Sequence, residues 1–287
     1  MEKLIITVAP TGSIPQKKDT PHVPVTVEEI VTCALRCEDE GASIAHIHIR
    51  DEDENPSDDP QSFHEIVNRI RERSNLIIQV STGGRAGTDL ESRIQRLQMR
   101  PEMASLTTGS VNFPNSAYVN PPDLIEALAK EMHRLEIKPE MEVFDLSMIS
   151  NAVALADRSL AVRPLHFNFV MGLKGAMPAK IEHLVHLSTG LPAESTWTVS
   201  GIGAAQLKMN VHAVLMGGHV RVGLEDNIYY KKGELATNER LVERIVRFSK
   251  ELGREVATPD EARKIMALGP RKNDKADQIA SSLSSSQ

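Results

Sequence analysis

The chain has 287 residues, 40% of them hydrophobic, and sets 33 Lys and Arg against 39 Asp and Glu for a formal net charge of −6. That length suits one large α/β unit or two average domains. The charge is spread without a basic block and aromatic residues make up only 3%, which argues against a nucleic-acid partner.

Taken in chain order, short apolar, β-branched runs alternate with longer amphipathic ones. The opening MEKLIITVAP enters a strand-like run at once, without the layout of a leader. No apolar run reaches the roughly 18–20 residues that span a bilayer, so no membrane partner is expected and cytoplasmic residence is. Strands are expected at 4–9, 44–49, 76–81, 103–107, 140–144, 165–170, 196–200 and 219–223. Helices are expected between and after them at about 26–40, 62–73, 88–98, 121–135, 147–162, 178–189, 203–216 and 237–252. Thr26 followed by Glu28 and Glu29, the Pro121-Pro122 pair, and Thr258-Pro259-Asp260-Glu261 all read as helix starts. Gly41, Gly190, Gly217 and Gly253 fall where helices should stop.

Eight strand-then-helix units without a linker predict a single (β/α)8 TIM barrel over residues 1–269, with a doubly wound open sheet as the competitor. The polar, serine-rich residues 270–287 read as a disordered tail. Cys33 and Cys37 sit four apart on one helix face and read as buried free thiols, since structural zinc usually takes four ligands.

The sharpest chemical signal is Ile44-Ala45-His46-Ile47-His48-Ile49-Arg50-Asp51. Alternate side chains on a strand share a face, so His46 and His48 point the same way and could converge on one metal ion. A third ligand should come from another strand end. The run from His219 to Asp226 ends the eighth strand, which in a closed barrel lies beside the first. One of Glu225 and Asp226 could ligate and the other act as a base; a solvated acidic loop is the plainer reading. Arg221 could hold a substrate carboxylate or lower the pKa of a nearby acid.

Other strand ends carry small polar groups. Ser81-Thr82-Gly83-Gly84-Arg85 follows the third strand, where glycines let backbone N–H groups approach an anion, and Ser105, Thr107, Thr108 and Gly109 end the fourth. Glu142 lies inside the fifth, costly there unless paired. Ser200–Gly203 after the seventh is a candidate phosphate contact, and His166 and Asn168 on the sixth could face the pocket. His64, His133, His183, His186 and His212 read as surface or packing residues.

Together the motifs HIHIRDED, IIQVSTGG, PEMASLTTGSVNF, PEMEVFDLSM and GGHVRVGLEDNIYYKKG resemble the β-keto acid cleavage enzymes, over nearly the whole chain. The resemblance implies a TIM barrel with one Zn2+ and acetyl-CoA as co-substrate. Its reaction joins a β-keto acid to acetyl-CoA and splits the product by a retro-Claisen route into acetoacetate and a new acyl-CoA. It implies His46, His48 and Glu225 as zinc ligands, Asp226 as the base and Arg221 as the residue tuning it. It also implies Ser81 and Ser105 as substrate-anchoring hydroxyls, Glu142 as a second carboxylate, and a homotetramer. Gly84, Thr107 and Ile14 complete the expected substrate contacts. One departure concerns Thr11-Gly12-Ser13-Ile14: a family member acting on an amino-substituted acid has an acidic residue after this motif, and Ile14 has no charge. An ammonium-bearing substrate is therefore disfavoured. The alternative function is a CoA-independent, metal-dependent aldolase or lyase on the same barrel.

Overall fold

The computed structural model describes residues 1–83 and 89–269. Among these, eight strands alternate with helices: β1 Ile6–Val8, β2 Ile44–Ile47, β3 Ile77–Val80, β4 Met103–Thr107, β5 Lys138–Val143, β6 His166–Met171, β7 Thr196–Gly201 and β8 His219–Val222. Neighbours pair in parallel in chain order and β8 closes on β1, forming a TIM barrel. The open-sheet competitor is excluded by that closure. No helix of the described residues is long and apolar enough to cross a membrane.

The surrounding helices are α1 Val27–Asp39, α2 Pro60–Arg73, α3 Leu90–Gln95, α4 Pro122–Arg134, α5 Ser147–Asp157, α6 Ile181–Thr189, α7 Gln206–Met216, α8 Asn238–Glu251 and α9 Pro259–Ile265. Thr26 and Thr258 each form a capping box with a glutamate three residues on, satisfying first-turn N–H groups. Outward strand residues such as Ile6, Val8, Ile47 and Val80 pack against Ile30, Ala34, Phe63 and Ile66 of the helices. Cys33 and Cys37 belong to this layer, buried and unbridged.

Three expectations change. The helix expected at 88–98 is the short α3 followed by a 3-10 turn, Arg96–Met99, where Arg96 swings inward to the carbonyls of Ser81 and Gly83. The helix expected to reach 162 ends at Asp157, because Ser159 takes a left-handed φ of 60°. Two hairpins, Val111–Phe113 with Ser116–Tyr118 and Tyr229–Lys231 with Glu234–Leu235, were not expected; runs of two or three residues carry too little alternation to read. The expected tail at 270–287 lies outside the described residues.

The register sets which side chains meet inside the barrel. From His46, pairing runs to Gln79, Met103 and Lys138, and once round it returns to the second strand eight residues earlier, the shear of this barrel type. One residue of shift per strand puts inward side chains of alternate strands at one height. Thr7, Gln79, Glu140 and Thr198 make one layer, and His46, Ser105, Asn168 and Arg221 the layer above; all eight are buried. Below lie Ile5, Ile44, Ile77 and Met103, sealed by Ala257 and by Ala262 and Met266 at α9.

Candidate metal and catalytic centre

His46 is inward on β2 and His48 follows one step past its end, so the pair climbs one wall of the C-terminal mouth. Their Nε2 atoms face each other at 3.2 Å. Glu225 reaches the same point from β8, with carboxylate oxygens 3.9 Å from His46 Nε2 and 3.4 Å from His48 Nε2. The ligand atoms of all three residues lie within 4.8 Å of one another.

How Glu225 gets there is a matter of backbone. Two consecutive acids cannot share one face of a strand, so the chain must leave β8 before them. It does so at Gly223, whose φ of 141° and approach to Ala9 leave no room for a side chain: a Cβ would sit 2.1 Å from the Ala9 oxygen. The following turn is tied by the Asp226 and Asn227 amides to the Gly223 carbonyl, and by the Glu225 amide to Ala9. Gly12 then packs on Glu225 so closely that a Cβ there would lie 2.4 Å from its Cγ.

The turn separates the two acids. Asp226 takes a two-pronged hydrogen bond from Arg221, Nε at 2.9 Å and Nη2 at 2.6 Å, while Nη2 also reaches Glu225 at 3.1 Å. Burial raises Asp226 above the ordinary carboxylate range, against the pull of Arg221. Burial acts on Glu225 in the same sense, but Arg221 and the two histidines outweigh it and hold Glu225 well below that range. Burial lowers His46, so its ring is neutral and able to donate a lone pair. Glu225 Oε2 is buried without a hydrogen bond among the described residues. Two imidazole nitrogens facing a carboxylate at this spacing fit a borderline divalent cation such as zinc.

The ends of the neighbouring β3 and β4 carry hydroxyls. Ser105 Oγ accepts the Thr82 amide at 3.2 Å and Ser81 Oγ accepts the Gly83 amide at 3.2 Å, which leaves each hydroxyl proton to give to a ligand. Thr107 Oγ1 donates to Glu142 Oε2 at 2.7 Å, so its proton is committed, and Tyr118 of the first hairpin lies 3.2 Å from it. Burial raises Glu142. Ile14 lies at the rim with 70% of its surface exposed. Gly84 and Arg85 lie outside the described residues.

A family model described as beta-keto acid cleavage enzyme matches residues 3–268. The chain belongs to the β-keto acid cleavage enzyme family. It is 47% identical over 272 residues to a 3-keto-5-aminohexanoate cleavage enzyme of Fusobacterium nucleatum subsp. nucleatum, covering 93% of this chain and 99% of that one. It is 47% identical over 269 residues to a 3-oxoadipate:acetyl-CoA acetyltransferase of Cupriavidus necator, covering 92% and 94%. Among solved structures, the binary complex of ObcA with oxaloacetate superposes with a TM-score of 0.76 at 22% identity, over 87% of this chain and 68% of that one, a likeness of fold.

Within this family member, several sequence expectations change place. His166 lies below the mouth, its Nε2 3.4 Å from Glu140, whereas Asn168 shares the height of His46. The Ser200–Gly203 turn has its donors committed: Ser200 Oγ gives to Asn168, Ile202 N to Met171 and Gly203 N to Asp226. It offers no N–H from these groups to a phosphate. His64, His133, His183, His186 and His212 all stand outside the centre, none of them fully buried. Gln79, Glu140 and Tyr118 were missed. For the first two, the alternation Ile77-x-Gln79-x-Ser81 and Lys138-x-Glu140-x-Glu142 placed them on the inward face.

Proposed function

We propose that this enzyme holds Zn2+ with His46, His48 and Glu225 and uses Asp226 as the base in β-keto acid cleavage with acetyl-CoA. The activity class is that of the family, and relatives named for acetyl-CoA transfer support the co-substrate. The single observation that carries the zinc reading is the convergence of three ligand atoms, from His46, His48 and Glu225, at the ends of β2 and β8. When bound, zinc supplies a Lewis acid that draws electrons from the substrate ketone and eases loss of the α-proton.

The chain's own groups do the rest. Ser81 and Ser105 donate to the substrate carboxylate and fix its orientation. Asp226, held by both prongs of Arg221, takes the α-proton; the resulting carbanion attacks the acetyl thioester carbonyl and expels CoA thiolate. The thiolate then attacks the original ketone carbon and the C–C bond breaks; the departing acetoacetate carbanion takes back the proton held by Asp226, and acetoacetate and the new acyl-CoA leave. Protonation of Asp226 leaves Arg221 beside a neutral acid, with Glu225 at 3.1 Å to balance its charge. Glu142 and Thr107 form a second acidic wall, and Gly84 joins the substrate contacts. A neutral or apolar acyl chain fits Ile14 best. Residues 1–269 act as one catalytic domain, in a cytoplasmic homotetramer.

The test is a panel of β-keto acids with and without acetyl-CoA, scoring acetoacetate and acyl-CoA, beside metal analysis of the purified protein. Equimolar acetoacetate and acyl-CoA with stoichiometric zinc is expected. Cleavage that proceeds without acetyl-CoA would replace this reading with a CoA-independent lyase.

A further inference from the structure

We propose that Gln79 is a positioning residue for the metal: it fixes His46 as the Nδ1–H tautomer and leaves Nε2 bare for the ion. This rests on the reading of His46, His48 and Glu225 as ligands. His46 Nδ1 lies 2.6 Å from Gln79 Oε1, inside the barrel where both residues are buried. An amide oxygen only accepts, so Nδ1 carries the proton and Nε2 presents a lone pair to the point that His48 and Glu225 share. A reversed amide would donate to Nδ1, move the proton to Nε2 and aim an N–H at the ion.

What prevents that reversal is the layer beneath. Gln79 stands at the height of Thr7, Glu140 and Thr198, all buried. Gln79 Nε2 and Thr7 Oγ1 have no hydrogen-bond partner among the described residues, and Glu140 Oε2 faces His166 Nε2 at 3.4 Å with lone-pair capacity to spare. Glu140 is an anion there: burial would raise it, but His166, His46 and Arg221 bring it down to about 2. A donor-only nitrogen and an acceptor-only carboxylate oxygen in one layer attract each other, directly or through one buried water. With Nε2 drawn across the layer toward the carboxylate, Oε1 is the end left for His46. The barrel interior thus sets the amide, the amide sets the tautomer, and the tautomer sets the lone pair.

Zinc affinity, measured by competition with a chromophoric chelator, separates this role from simple packing. Gln79→Leu should bind zinc about 10–100-fold more weakly than the parent. Gln79→Glu combined with Glu140→Gln, which keeps one carboxylate and one amide in the layer and lets the carboxylate accept the same Nδ1–H, should bind at least as tightly as the parent. Equal affinity in Gln79→Leu overturns the proposal, and so does equal weakening in both variants, which is the signature of a merely structural residue. Nitrogen-15 NMR of histidine in the zinc-free parent needs no variant: His46 should show its proton on Nδ1, and a proton on Nε2 overturns the proposal. A parent that takes up no zinc while showing the Nδ1–H tautomer instead overturns the metal reading, so the two failures are distinct.

Discussion

The two ends of this barrel are built from the same eight strands and opposite chemistry. At the N-terminal end, Ile5, Ile44, Ile77 and Met103 close on Ala257, Ala262 and Met266 as one apolar cluster. Two steps along the same strands, Thr7, His46, Gln79 and Ser105 replace them. Each buried Ile or Met at the floor contributes about 1.5–3 kcal/mol. The Arg221–Asp226 pair, taken fully out of water, contributes little net and mainly fixes geometry. The difference teaches that stability is concentrated where no substrate goes, which frees the mouth to hold groups that folding alone would not favour.

That division can be broken from either side. The largest effect is expected from Asp226→Asn, which keeps the shape beside Arg221 and removes the base. It should lower kcat/KM by about 10²–10⁴-fold with zinc content unchanged; a loss below tenfold would reassign the base. At the floor, Ile77→Ala should cost about 2–5 kcal/mol in denaturant unfolding while leaving zinc stoichiometry and KM as in the parent. A fall in metal affinity there would show that the two ends are coupled.

Two smaller tests sharpen the contrast. Ile14→Glu places a charge at an exposed rim, where a pair is worth about 1 kcal/mol or less. It should shift preference toward an ammonium-bearing β-keto acid by about fivefold or less, read as a ratio of kcat/KM values, and an unchanged substrate profile would sink the role given to Ile14. The smallest effect concerns Lys138, whose pKa burial lowers from 10.5 to about 8. Between those values the unfolded chain binds a proton that the folded chain does not, so stability rises with pH across the window. The parent should gain stability relative to Lys138→Met between pH 8 and 10.5 in paired denaturant melts; a constant difference would show an unshifted lysine.

Much of this architecture could be read before any coordinates. Short apolar, β-branched runs exposed all eight barrel strands, and the period of two along HIHIRD placed two imidazoles on one face. The pair Glu225-Asp226 was legible as acidic chemistry at a strand end, but not which acid meets the histidines. That depends on the turn at Gly223 and on a guanidinium four residues back, neither of which has a periodic signature. Gln79 was legible as inward-facing but its partners were not: they come from the stagger between neighbouring strands, which no local pattern encodes. The Ser200–Gly203 turn misled because a glycine-rich loop looks the same whether its N–H groups are vacant or engaged.

The loop after β1 holds its shape through contacts that ignore side-chain identity. Arg50 reaches the carbonyls of Thr11, Gly12, Pro15 and Glu54, and Asn238 joins the Pro10 carbonyl to the Leu224 amide. Because these bonds are to the main chain, position 14 can be rewritten by mutation without disturbing the carboxylate that Gly12 backs. Selection can therefore trade one acyl group for another at the rim while the reacting centre is inherited intact, and substrate range can diverge faster than chemistry.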